Sequence, residues 1–149
     1  MYRKMAVPLD GSELAECVLP HVEAIARGCS IAEVVLLRAV EPVPVETPPA
    51  WDFEAVQKAT TKVAEDYLAK VQADLSKEGL TVRSQVLMGK AGEAITEFVE
   101  RNGVDLIAIA THGRSGITRW AFGSVADKLV RFSSVPVLVI RPERSQSGT

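Results

Sequence analysis

The residues best placed to do chemistry lie in one stretch, Ala110 to Ser124, which reads ATHGRSGITRWAFGS. It follows an apolar run, LIAIA, and precedes an amphipathic one. Gly113, Gly116 and Gly123 let backbone amides turn inward without side-chain obstruction. Ser124 stands at an expected helix start, where free N–H groups and the helix dipole favour an anion. Arg114 and Arg119 add positive charge and forked donors. These are the ingredients of a phosphate cradle. The bland alternative is a long strand-to-helix connector. Asp10, in the turn VPLDGS that follows the first apolar run, is an acceptor and would repel phosphate directly. It suits a ribose hydroxyl, a base amino group or a phosphate-bound Mg²⁺, and it also suits a plain turn with Ser12. His112 has no partner visible in the sequence that would make it a general acid or base. There is no G-x4-G-K-[ST] run and no G-x-G-x-x-G after the first strand, so neither a P-loop enzyme nor a dinucleotide dehydrogenase is indicated.

The elements that must hold these residues alternate in type. KMAVPL reads as a first strand, ended by Pro8 and the turn residues Asp10 and Gly11. One helix is expected from an N-cap at Ser12, with Leu14, Val18, Val22 and Ile25 on its apolar face and Gly28 as its stop. EVVLLRAV is a second strand, and EPVPVETPPA is too proline-rich for helix or central strand. A long helix should carry Phe53, Val56, Thr60, Val63, Tyr67, Val71 and Leu75 at spacings of three and four, ending at Gly79. TVRSQVL alternates like a half-exposed edge strand. The next helix points Ile95, Phe98 and Val99 inward and stops at Gly103. DLIAIA has no polar face and should be buried on both sides. Ser124 and Asp127 resemble a capping box for a last helix with Val125, Leu129 and Phe132 inward. VPVLVIRP closes the pattern as a fifth strand. Alternating strands and helices build a parallel sheet with helices on both faces. In such a doubly wound five-stranded α/β sheet, ligands bind past the carboxyl ends of the strands where strand order reverses.

Bulk properties set the limits. A chain of 149 residues fits one domain, here residues 1–142, with a polar tail at 143–149. Its formal net charge of −2 argues against a dedicated nucleic-acid binder. Cys17 and Cys29 are its only cysteines, too few for a disulfide framework and without zinc-ligand spacing. No apolar run approaches a membrane span and no signal-peptide core is present, so a cytoplasmic location with no membrane contact is expected.

The residues AVPLDGSELAE, VVLLRAVEP and ATHGRSGITRWAFGSVADKLVRFSSVPVLVIRP resemble the universal stress protein family over nearly the whole chain. The resemblance implies an adenine-nucleotide α-hydrolase-like sheet of strand order 3-2-1-4-5. It also implies the signature G-x2-G-x9-G-[ST] of the nucleotide-binding branch. Ala110, Gly113 and Gly123 occupy the three glycine positions, and Ser124 the hydroxyl position. Ala110 departs by one methyl group. Carried over by position, Pro8, Leu9 and Asp10 would line the adenosine end, Ala39 would offer backbone groups to the adenine edge, and Gly89 would border the ribose. Gly113, Arg114, Gly123, Ser124 and Val125 would wrap the phosphates. The implied ligand is ATP (or AMP or ADP) with Mg²⁺ held through the phosphates and, at most, Asp10.

The implied strand order leaves the fifth strand, VPVLVI, at an apolar sheet edge, which invites pairing. An isologous homodimer through Val135, Val137, Leu138, Val139 and Ile140 is expected. The functional expectation is a non-enzymatic regulatory module whose nucleotide state alters a protein partner in stress, with ATP hydrolysis slow at most. The same fold without nucleotide is the alternative that Ala110 favours, and a slow nucleotide hydrolase is the other. Trp120 and Phe122 are expected as a hydrophobic anchor or interface patch.

Overall fold

The computed structural model describes residues 1–44, 52–111 and 123–143. Five strands and five helices follow one another as β1 Lys4–Pro8, α1 Glu13–Glu16, α2 Leu19–Gly28, β2 Glu33–Val40, α3 Phe53–Lys77, β3 Val82–Met88, α4 Ala91–Arg101, β4 Leu106–Ala110, α5 Ser124–Phe132 and β5 Val137–Ile140. The sheet is parallel with order β3-β2-β1-β4-β5, as the resemblance implies.

The strand period of two divides the core. Met5, Val7, Val34 and Leu36 face one side, where they pack with Ala15, Val18, Val22, Leu68, Val71 and Leu75 from α1, α2 and α3. Ala6, Val35, Leu37, Ile107 and Ile109 face the other, against Ile95, Phe98, Val99, Ala126 and Leu129 from α4 and α5. Alternate side chains of one strand thus feed two cores, which is why the middle of each of these strands, Met5 to Val7 and Val34 to Leu37, is apolar in succession. β4 is buried along its whole length.

Four local expectations change. The first helix is two: α1 ends at Glu16, with Cys17 as its C-cap, and α2 begins at Leu19 with Pro20 in its first turn. Pro20 has no N–H, its ring would strike the carbonyl of Glu16, and it disfavours helical geometry at Leu19. Leu14 is left exposed in consequence. The left-handed residue after α2 is Ser30 at φ 52°, not Gly28, which is the last helical residue. On α3 the buried stripe is Ala64, Leu68, Val71 and Leu75, while Val63 is 62% exposed and Thr60 is exposed. A 25-residue helix offers several overlapping stripes, and the sheet selects one. Phe132, expected inward, is 66% exposed, because Ala126 and Leu129 carry the buried face of α5.

Candidate functional site

Strand order reverses between β1 and β4. The chain passes from β1 to β2 on one side and from β4 to β5 on the other. The two strands lie side by side, with Met5 opposite Leu106 and Ala6 opposite Ile107. Past their carboxyl ends a cleft of about 200 Å³ opens among the described residues.

The first wall is the turn after β1. Pro8, Leu9 and Asp10 line the cleft. Leu9 N–H donates to the Leu37 carbonyl at 2.8 Å, which extends the ladder one residue past the strand. Asp10 Oδ1 then accepts from Ser12 N–H at 2.8 Å and from the Ser12 hydroxyl at 2.5 Å. Ser12 Oγ accepts in turn from Ala15 N–H at 3.1 Å and so caps α1. Gly11 sits at φ 87°, a conformation that costs any L side chain about 1–2 kcal/mol. Asp10 therefore holds its turn through Oδ1, and Oδ2 has no partner among the described residues.

The opposite wall is the start of α5. Thr111, buried to 3% exposure, donates its N–H to the Ile140 carbonyl at 2.9 Å. The Thr111 carbonyl accepts from Gly123 N–H at 2.5 Å. This bond brings the chain back beside the end of β4, where Gly123, Ser124 and Val125 line the cleft. The N-cap is Gly123, not Ser124, and no side chain among the described residues caps the helix. The expected capping box is absent because Ser124 is already helical and the Asp127 carboxylate turns to Arg131 at 3.1 Å. The Gly123 carbonyl takes the first helical bond, from Asp127 N–H at 2.8 Å. The amides of Ser124, Val125 and Ala126 consequently have no intrahelical acceptor, and they stand at the positive end of the dipole.

The floor and sides are apolar: Leu37 and Ala39 of β2, Ile109 and Ala110 of β4, Ala91 and Ile95 of α4, and Ala15 of α1. Ala110 lies in regular strand, paired with Ile140. The only positive-φ residue other than glycine among the described residues is Ser30. The methyl of Ala110 thus costs no backbone strain; it is simply part of the cleft lining.

Eight of the residues expected at the site meet there: Pro8, Leu9, Asp10, Ala39, Ala110, Gly123, Ser124 and Val125. Gly89 does not line the cleft. It makes the turn after β3 at φ 125° and donates to the Val40 carbonyl at 2.9 Å. Gly113 and Arg114 lie outside the described residues, as do His112, Gly116, Arg119, Trp120 and Phe122. Ala15, Leu37, Ala91, Ile95, Ile109, Thr111 and Ala126 also line the cleft without having been expected there. Helical periodicity marked Ile95 as inward, but it cannot tell a core position from a cleft wall.

Among the described residues no three or more His, Cys, Asp or Glu side chains gather closely enough to hold a metal. Among the described residues Asp10 is the one carboxylate lining the cleft. Beneath the Asp10 turn, burial first and the Glu16 and Asp10 carboxylates second push the Tyr67 phenol up to about 12, against the opposing charge of Arg38. Burial likewise raises the Cys17 thiol.

The sequence pattern of the universal stress protein family matches residues 1–141. The chain belongs to the universal stress protein family. Universal stress protein MJ0531 of Methanocaldococcus jannaschii is 29% identical over 147 residues, which cover 98% of this chain and 86% of that protein. Universal stress protein MJ0577 of the same archaeon is 27% identical over 160 residues, covering 97% and 98%. The solved structure of MJ0577 superposes with a TM-score of 0.84 at 28% identity, over 97% of this chain and 99% of that one. A family member from Arabidopsis thaliana, solved with AMP bound, shares the fold with a TM-score of 0.70 at 17% identity, over 99% and 96% of the two chains. Among the described residues no helix is long and apolar enough to cross a membrane.

Proposed function

We propose that this universal stress protein binds an adenine nucleotide, ATP or its di- or monophosphate, in the cleft between β1 and β4 as a regulatory ligand. The observation that carries this is the polarity of the cleft. An apolar middle separates a carboxylate at Asp10 from the donor-rich start of α5. A flat base suits the apolar middle, a ribose or base donor suits Asp10 Oδ2, and phosphates suit the amides of Ser124, Val125 and Ala126. The AMP bound by the Arabidopsis relative supports a nucleotide of this class. Gly113 and Arg114 complete the phosphate side in this proposal, with Mg²⁺ carried on the phosphates. Gly89 acts only through the turn it makes. Hydrolysis is slow or absent, and ligand state changes the protein's affinity for a regulatory partner in the cytoplasm.

The unit is one domain over residues 1–142 that dimerises through β5, the sheet edge. β5 is short, and Val137, Leu138 and Val139 are only half-buried. Its ladder with β4 engages the carbonyls of Pro136 and Ile140. Alternation then turns the amides of Val137 and Val139 outward, where a second strand can pair.

Calorimetry with ATP, ADP, AMP and adenosine tests the proposal, together with ion-exchange analysis of nucleotide released on denaturing the purified protein. Saturable binding of the nucleotides is expected. No binding at millimolar ATP would leave the nucleotide-free interaction protein, the reading favoured by the methyl of Ala110 in the cleft wall. Phosphate release above about one turnover per second would make it an enzyme.

A further inference from the structure

Arg38 is a cation that the cleft does not use. It lies near the carboxyl end of β2, between Leu37 and Ala39, and both of those line the cleft. Strand alternation sends Arg38 to the other face of the sheet, the face of Val34 and Leu36, under α1 and α3. It is half-buried, yet no carboxylate lies within ion-pairing distance of it among the described residues. A half-buried, unpaired charge is costly to keep without a compensating contact.

Its contacts are geometric. The guanidinium carbon stands 5.2 Å from the centroid of the Tyr67 ring, a cation–π distance. It also meets Gly11. A Cβ placed on Gly11 would come within 2.8 Å of one guanidinium nitrogen, 3.1 Å of the guanidinium carbon and 3.2 Å of the second nitrogen. The plane is therefore packed against bare backbone at the one residue of the turn held at φ 87°. Gly11 separates Asp10, which lines the cleft, from Ser12, which ties Asp10 Oδ1 and caps α1. The Tyr67 hydroxyl is buried without a hydrogen-bond partner among the described residues, so there the ring is held by packing and by the cation rather than by its own polar end. A flat, rigid guanidinium can fill this slot; a lysine ammonium is compact and strongly hydrated.

We propose that Arg38, wedged against both Gly11 and the Tyr67 ring, is a positioning residue that holds the Asp10–Gly11–Ser12 turn in its cleft-facing conformation. It touches no ligand and acts through Asp10. The effect on ligand affinity rests on the nucleotide proposal above; the effect on the turn does not.

The experiment compares wild type with Arg38→Met, Asp10→Asn and the double variant. Arg38→Met should weaken adenosine and ATP by the same factor, about tenfold, the weight of one net hydrogen bond. In the Asp10→Asn background it should weaken adenosine no further, because the contact it positions is gone. Hydrogen exchange supplies a readout that needs no ligand. The Ser12 amide should lose its protection in Arg38→Met while that of Leu129, in the opposite core, is kept. Tyr67→Leu, which removes the other jaw of the wedge, should reproduce the Ser12 effect and serves if Arg38→Met does not fold. If wild type binds no adenine compound, the nucleotide proposal falls and the wedge is judged by Ser12 alone. Unchanged Ser12 exchange in both variants overturns the wedge, as does additive loss of adenosine affinity in the double variant.

Discussion

Gly123→Asp separates binding from folding at the start of α5. Gly123 is the N-cap at φ −55° and ψ 156°, and no side chain among the described residues caps the helix. That conformation is open to any L residue, so the substitution carries no backbone strain. Aspartate is also among the best N-caps. Its carboxylate would accept from the amide of Val125 or Ala126, improving on glycine by a few tenths of a kcal/mol. Those are the amides proposed to receive phosphate. The new charge would lie about 4 Å from a bound phosphate, a repulsion of about 4 kcal/mol at an effective dielectric constant near 20. With half of that screened, ATP affinity should still fall about thirtyfold, and unscreened about a thousandfold. Adenosine, which has no phosphate, should bind as it does to wild type. Calorimetry with both ligands and a thermal melt are the assays. ATP affinity within threefold of wild type would refute the placement of phosphates at α5. A melting temperature lowered by several degrees would refute the cap geometry.

The remaining predictions concern stability, association and thiol chemistry. Asp105 Oδ2 accepts the backbone amides of Arg3 at 2.7 Å and Lys4 at 2.9 Å, and these bonds hold its carboxyl below the usual range. Its folded pKa is depressed, so its contribution is present above the unfolded value near 3.9 and is lost as pH falls through the folded one. Asp105→Asn should therefore cost about 1 kcal/mol in urea unfolding at pH 7, discounted for partial exposure, and progressively less as pH falls below the unfolded value. Leu68 is 1% exposed in the α3 core, and Leu68→Ala should cost about 2–5 kcal/mol by the same assay. Light scattering should find a dimer, and Val139→Pro, which deletes an outward amide of β5, should give a folded monomer; a wild-type monomer at micromolar concentration would end the dimer proposal. A disulfide reagent should label the exposed Cys29 quickly and Cys17 slowly, since Cys17 is half-buried and its thiol is raised by burial. Cys29→Ser should remove the fast phase alone.

The fold was legible because its signals are local and repeated. Short unbroken apolar runs such as LIAIA, bounded by turn residues, suit strands covered on both faces, and glycine stops such as Gly103 at φ 63° lie where the periodicity ends. The errors fell where two rules competed. Pro20 overrode the periodicity that joined Leu14 to Val18. On α3 the sheet chose Ala64 and Leu68 over the equally periodic Val63. At the site, Asp10, Gly123 and Ser124 announced themselves by type in unusual loops. Ile95, Ala91 and Thr111 did not, because an apolar or small residue facing a cleft carries the same pattern as one facing a core.

What the sequence by itself determined is the element order, the parallel sheet and the character of the two loops, since hydrophobic period and turn chemistry act over a few residues at a time. Only the tertiary structure decided which loops face one another. The juxtaposition of Pro8 and Ala110 spans a hundred residues and depends on β1 and β4 becoming neighbours. Only the tertiary structure also set Arg38 against both Gly11 and Tyr67, 27 and 29 residues away in the chain. A strand fixes which face a side chain leaves from, but the partner it meets there is set by the packing of the layer above.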